Sequence, residues 1–178
     1  MRPSDPAQLV ERLQASGMRR VQLALVPVVD APAAWGDVAL ALRAAGIEVE
    51  SGMLAPRGED YSSIPRIRET GGLRPDETWQ DNVKLAMGVS RVAGTLGLRL
   101  VTFHAGFIPH DHRDPLRARM IERLRTVADI FSEEGVDVAF ETGQESAPCL
   151  LQALEQLDRP RAGRSEEHTS ELQSPYVI

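Results

Sequence analysis

One unit recurs along this chain: an amphipathic helical stretch, a glycine, then a short β-type run. Gly46-Ile47-Glu48-Val49, Gly97-Leu98-Arg99-Leu100-Val101 and Gly135-Val136-Asp137-Val138-Ala139 share it, with a fainter copy at Gly17-Met18-Arg19-Arg20-Val21-Gln22-Leu23. A glycine just past a helix closes the last turn in the left-handed conformation. The apolar run behind it has strand length and β-branched content. Strict alternation of helix and strand calls for an α/β fold with a parallel sheet and right-handed crossovers.

The helices between the strands are legible. One is expected at about Ser4 to Ser16 and a shorter one at about Trp35 to Ala45. Asp76 can cap a third, whose Trp79, Val83, Met87, Val89, Ala93 and Leu96 fall mostly on one face. Asp114 before Pro115 is a start signal, followed by Leu116, Met120, Leu124, Val127 and Phe131 at helical spacing. Ser146 with Pro148 opens the last, through Leu150, Leu151, Leu154 and Leu157. Four strands and four following helices suit either an open doubly wound sheet or half of an eight-stranded barrel. The first strand ends in Val26-Pro27-Val28-Val29-Asp30, with no Gly-x-Gly-x-x-Gly behind it, which argues against a dinucleotide fold. Gly71-Gly72 lies in a loop without a P-loop lysine.

Two strands end in side chains able to hold a metal or move a proton. The run Leu100-Val101-Thr102-Phe103 stops at His104, and Val136-Asp137-Val138-Ala139-Phe140 stops at Glu141. In barrels of alternating strands and helices, active sites form at the C-terminal strand ends. A carboxylate ending a buried run is costly unless a metal or cation compensates it, so Glu141 is a candidate metal ligand and catalytic group. His104 is a candidate catalytic or substrate-binding residue; imidazole suits Zn, Mn or Fe and equally a substrate hydroxyl. Gly106, two residues on, would let a ligand approach the backbone. Glu145 either contacts substrate or favours the N-terminus of the helix beginning there. His110-Asp111-His112 resembles a ligand cluster, but its loop also carries Pro109, Arg113 and Asp114 and reads better as a solvated turn. The loop Gly58-Glu59-Asp60-Tyr61-Ser62 lies on the same side and could close over a ligand.

The formal charge is −6, without a basic cluster to track a phosphate backbone, so nucleic acid is not the favoured partner. No apolar run is long enough to span a bilayer, and Met1-Arg2-Pro3-Ser4-Asp5-Pro6 lacks the apolar core of a secretion signal. A lone cysteine, Cys149, fits a reducing cytoplasm and reads as a small buried hydrophobe at a helix start. From Arg164 the composition changes. Residues 164–174 coincide with the translation of a short-read sequencing adapter, a match too specific for chance. The segment 164–178 is therefore taken as foreign and set aside; the bland alternative is a polar, partly disordered terminus. The genuine gene is then expected to be cut near Gly163, leaving a single domain over 1–163.

Four segments carry a resemblance: Gly58-Glu59-Asp60-Tyr61-Ser62, Thr70-Gly71-Gly72-Leu73, Phe103-His104-Ala105-Gly106-Phe107 and Glu141-Thr142-Gly143-Gln144-Glu145. Together they resemble the sugar phosphate isomerase/epimerase family of the xylose isomerase-like TIM barrel superfamily, which also contains AP endonucleases. The resemblance runs from Met1 to Gly163 in the family's order. It implies a (β/α)8 barrel of which this chain holds about the first four βα units, an incomplete TIM barrel. It further implies a divalent metal, Mn²⁺ or Mg²⁺ before Zn²⁺, held partly by Glu141, with the third-strand His104 near the pocket. The implied substrate is a sugar or polyol, and the reaction metal-assisted proton transfer next to a carbonyl. The fifth-strand aspartate and eighth-strand glutamate of the family would lie beyond Gly163, so the chain is expected to be inactive alone. The rival enzymatic reading is a zinc phosphodiesterase acting at abasic DNA, which calls for more histidines and a basic groove.

Overall fold

Strand order decides between the two expected architectures. The computed structural model describes residues 3–141 and 147–164. Its strands are β1 (Arg20–Ala24), β2 (Glu48–Met53), β3 (Leu100–His104), β4 (Asp137–Glu141) and β5 (Ala162–Arg164), and they form one sheet in the order β1-β2-β3-β4-β5. All four pairings are parallel. A doubly wound sheet reverses its strand order at a switch point; this sheet advances one neighbour at a time in one direction, as a barrel wall does.

The helices are α1 (Pro6–Ala15), α2 (Val26–Asp30), α3 (Pro32–Trp35), α4 (Val38–Ala44), α5 (Ile64–Thr70), α6 (Asp76–Leu96), α7 (Pro115–Glu133) and α8 (Ala147–Leu157). Gly17, Gly46, Gly97 and Gly135, the glycines of the recurring unit, all take positive φ behind α1, α4, α6 and α7. Asp114 caps α7, its carboxylate accepting the Leu116 N–H at 2.8 Å.

Four local expectations change. Val26–Asp30 is helical rather than the end of a strand. The Leu25 N–H makes a last sheet bond to Met53, but the Leu25 carbonyl accepts from Val28 and Val29, and Pro27 has no N–H to continue a ladder. The helix expected at Trp35 to Ala45 is split into α3 and α4 around Gly36 and Asp37. Helix α5 was not foreseen, although Ser63 caps it and Pro65 sits in its first turn. The fifth strand, β5, is only three residues of ordinary composition and carries no apolar signal.

The two faces of the sheet differ in chemistry. Val101, Phe103, Val138 and Phe140 are buried on the helix side, where the rings of Phe103 and Phe140 meet edge to face at 5.2 Å. Alternation along each strand sends Thr102, His104 and Glu141 to the opposite face. Cys149 is buried on α8, as expected of a small hydrophobe.

Asp76 plays a different part from the cap foreseen for it. It is the first residue of α6, and no side chain caps that helix. Its carboxylate instead pairs with Arg123 of α7, and with Arg119 at 2.7 Å. The Arg123 and Arg119 guanidinium groups hold the Asp76 carboxyl below the usual carboxylate range. Arg123 is only 8% exposed and also donates to the carbonyls of Leu73 at 2.8 Å and Arg74 at 2.6 Å, with its guanidinium 5.0 Å from the Trp79 ring centre. One buried cation thereby ties α7 to the segment that precedes α6. Arg123→Met is expected to lower stability by about 2–4 kcal/mol, because two carbonyls lose a charged donor. Urea unfolding measures this; a midpoint unchanged from wild type would show that water replaces the guanidinium without cost.

Candidate functional site

The site is built where three chain segments converge above the C-terminal ends of β2, β3 and β4. Register brings its two predicted residues together: His104 and Glu141 are direct partners in the β3–β4 pairing. Glu141 is half-buried, and its Oε1 accepts the Thr102 hydroxyl at 3.0 Å. Thr102 accepts in turn from the Gln22 amide of β1 at 2.9 Å. Among the described residues no Lys, Arg or His forms an ion pair with Glu141. A carboxylate so placed, with one neutral hydroxyl donor, is only partly compensated.

His104 is held from the side. Its Nδ1 lies 2.8 Å from Oε1 of Glu59, and the two side chains are 12% and 8% exposed. The same Glu59 oxygen accepts the Gly72 N–H at 2.8 Å, while Oε2 accepts the Tyr61 hydroxyl at 3.1 Å. Tyr61 is 69% exposed as a residue, yet its phenol lies far above its ordinary pKa. The cause is first the protein surrounding the hydroxyl, then the negative charge of Glu59 and of Glu141.

The segment carrying Glu59 is fixed at both ends. Asn82, buried on α6, accepts the Arg57 N–H at 2.7 Å. Asp60 accepts the Ser62 N–H at 2.9 Å and pairs with Arg66 at 3.0 Å, and its own N–H donates to Thr70 Oγ1. The Ser62 and Arg66 bonds hold the Asp60 carboxyl at about 2.

Gly71 and Gly72 then lie flush against the end of β3. A Cβ on Gly71 would come within 2.7 Å of His104 Cε1, and one on Gly72, at φ +63, would strike the Ala105 carbonyl. Gly106 has φ +95 and would meet the Gly71 carbonyl at 2.6 Å if it carried a Cβ. The expectation that Gly106 opens a path to a ligand is thus corrected: the space is filled by Gly71. Backbone against backbone is what the glycines permit here.

Of the other candidates, His112 is exposed and hydrogen-bonds Gln152 and Gln156 of α8, at 3.1 Å each. His110 and Asp111 are exposed in the same turn. Glu145 lies outside the described residues. Glu59, Thr102 and Gln22 were not among the predicted site residues. Thr102 and Gln22 had a faint signal, as polar residues at alternate positions of apolar strands. Glu59 had none that pointed to His104, 45 residues away in sequence. Among the described residues no cluster of three or more His, Cys, Asp or Glu side chains could hold a metal ion, and no helix is long and apolar enough to cross a membrane.

Two outcomes check this geometry. Gly72→Ala combines a left-handed backbone with a steric clash and should lower stability by about 3 kcal/mol or more, read as an earlier chemical-denaturation midpoint; a neutral substitution would contradict the close approach. For Asp60 the folded pKa is depressed from 3.8 to about 2. Its contribution is therefore complete above pH 3.8 and lost as pH falls toward 2. Asp60→Asn should flatten the acid limb of the stability profile in that window, and an unaltered limb would contradict it.

Comparison with known proteins places the chain. The description xylose isomerase-like TIM barrel matches over residues 8–163. A xylose isomerase domain protein from Planctomyces limnophilus is 28% identical, with a TM-score of 0.77 over 88% of this chain and 55% of that one. A xylose isomerase-like TIM barrel protein from Mycobacterium smegmatis, solved in complex with magnesium, is 13% identical, with a TM-score of 0.63 over 90% of this chain and 55% of its own. D-psicose 3-epimerase from Clostridium cellulolyticum H10, solved with D-tagatose, is 15% identical, with a TM-score of 0.63 over 90% and 57%. No curated protein matches the sequence. The chain spans about half the length of these structures, so its sheet is part of a barrel. With a family match over most of its length, this chain belongs to the xylose isomerase-like TIM barrel family.

Proposed function

We propose that the site serves metal-assisted proton transfer next to a carbonyl in a sugar or related polyol, the chemistry of an isomerase or epimerase. The observation that carries this reading is Glu141: a half-buried carboxylate at the C-terminal end of β4, oriented by Thr102 and without a cationic partner among the described residues. The donor chemistry fits a hard divalent cation, Mn²⁺ or Mg²⁺ before Zn²⁺. When bound, such a cation supplies Lewis-acid polarisation of the substrate's carbonyl and hydroxyl oxygens. Glu141 would hold it and move the proton beside the carbonyl. Thr102 directs its hydroxyl proton to Oε1 and so fixes the plane of the carboxylate, while Gln22 fixes Thr102. His104 orients the substrate, and Glu145 contacts it. The sugar ligand of D-psicose 3-epimerase, a structural neighbour, lends support to a ketose as substrate.

Residues 1–163 would form the N-terminal half of such a barrel, with 164–178 foreign to it in origin although Arg164 completes β5. A catalytic metal centre typically takes about three protein ligands, and Glu141 is the one proposed here. The chain is accordingly proposed to bind Mn²⁺ weakly and to turn over no sugar by itself. Isothermal calorimetry with MnCl₂ tests the site. Weak binding that is abolished in Glu141→Gln and weakened about 10-fold in Thr102→Val is expected, as for removal of a group that orients a metal ligand. Mn²⁺ binding indifferent to Glu141→Gln overturns the metal assignment. Micromolar affinity overturns the weak binding, and clear epimerisation of a ketose by the wild-type chain overturns its inactivity.

A further inference from the structure

We propose that Glu59 is a positioning residue that locks His104 in the Nδ1–H tautomer and so presents a bare Nε2 as hydrogen-bond acceptor to a substrate hydroxyl. The geometry leaves little choice at Nδ1. An ionised carboxylate only accepts hydrogen bonds, and Oε1 of Glu59 faces both His104 Nδ1 and the Gly72 N–H at 2.8 Å. The proton of that pair therefore belongs to the imidazole. Tyr61 occupies Oε2, so the carboxylate cannot rotate away without breaking three bonds at once.

The other ring nitrogen is different. His104 Nε2 has no hydrogen-bond partner among the described residues, and His104 is the direct register partner of Glu141. In a neutral imidazole one nitrogen donates and the other accepts, and the bond made by the first decides which atom is offered by the second. Nε2 can take a hydrogen bond from a hydroxyl or, in full transfer, its proton. The O–H bond then breaks as the Nε2–H bond forms, leaving an alkoxide, and the resulting imidazolium keeps its other proton on Nδ1, donated to Glu59. The packing makes this arrangement stiff, since Phe107 meets the ring edge to face at 5.8 Å and Gly71 lies against Cε1. The inference rests on the proposed sugar site only for the identity of the hydroxyl.

Long-range ¹H–¹⁵N correlation spectra of the full 178-residue chain, labelled at histidine, test it. With the imidazole neutral, the expected spectrum has a protonated Nδ1 and a pyridine-like Nε2. Glu59→Gln keeps an acceptor oxygen and should retain that tautomer. Glu59→Ala removes it and should invert the ratio towards Nε2–H, while the His112 signals, held by Gln152 and Gln156, stay in place as a control for the fold. A bare Nδ1 in wild type overturns the assignment without any variant, and so does an Nδ1–H that survives Glu59→Ala. Should Glu59→Ala not fold, wild type and Glu59→Gln decide. Neither sugar nor metal is added, so a failed Mn²⁺ titration sinks the proposed function alone and a wrong tautomer sinks this assignment alone.

Discussion

The site depends on one close approach, that of the Gly71–Gly72 backbone to Ala105 and Gly106 at the end of β3. Two peptide segments can lie this near only where side chains are missing on both. Contact at that point brings the Gly72 N–H to Glu59 and Glu59 to His104, so the approach is a precondition of the site's hydrogen bonds. Arg123 reinforces it from beneath by holding the next two carbonyls, Leu73 and Arg74. A charge on α7 thus supports a hydrogen bond at the mouth without touching it.

Register does the second part of the work. Parallel pairing sets His104 beside Glu141 and Phe103 beside Phe140, and the two-residue alternation of a strand sends one pair to the mouth and the other into the core. A slip of one residue would exchange them, burying two ionisable groups among helices and exposing two aromatic rings. The edge-to-face contact of the phenylalanines therefore protects the chemistry of their neighbours. Thr102 and Gln22 extend the polar face across the sheet, giving Glu141 an orientation it could not have from its own strand.

The loop between β2 and α6 is the most elaborate part of the molecule. Asn82 holds its start, Asp60 its middle and Arg123 its end, each through hydrogen bonds to backbone N–H or carbonyl groups. Such anchoring suits a loop that must carry a positioning carboxylate, because Glu59 can fix an imidazole only if it is itself immobile. Tyr61 stays largely exposed above it, joined to the site by its hydroxyl bond to Glu59.

How much of this was written in the sequence depends on the range of the interaction. Glycine after each helix, Asp114 before Pro115 and the apolar runs ending in His104 and Glu141 are local signals, and they determine the alternating elements, the parallel sheet and the strand ends that carry chemistry. Val26–Asp30 misled because β-branched content favours a strand, whereas the Leu25 carbonyl turned to its own chain and Pro27 had no proton to give. Glu59 with His104, Thr102 with Glu141 and Arg123 with Leu73 join residues tens of positions apart, and nothing in residue type specifies such partners. Only tertiary structure decided them, because distance in space between segments follows from strand order and from where backbones can touch, and both are properties of the assembled sheet.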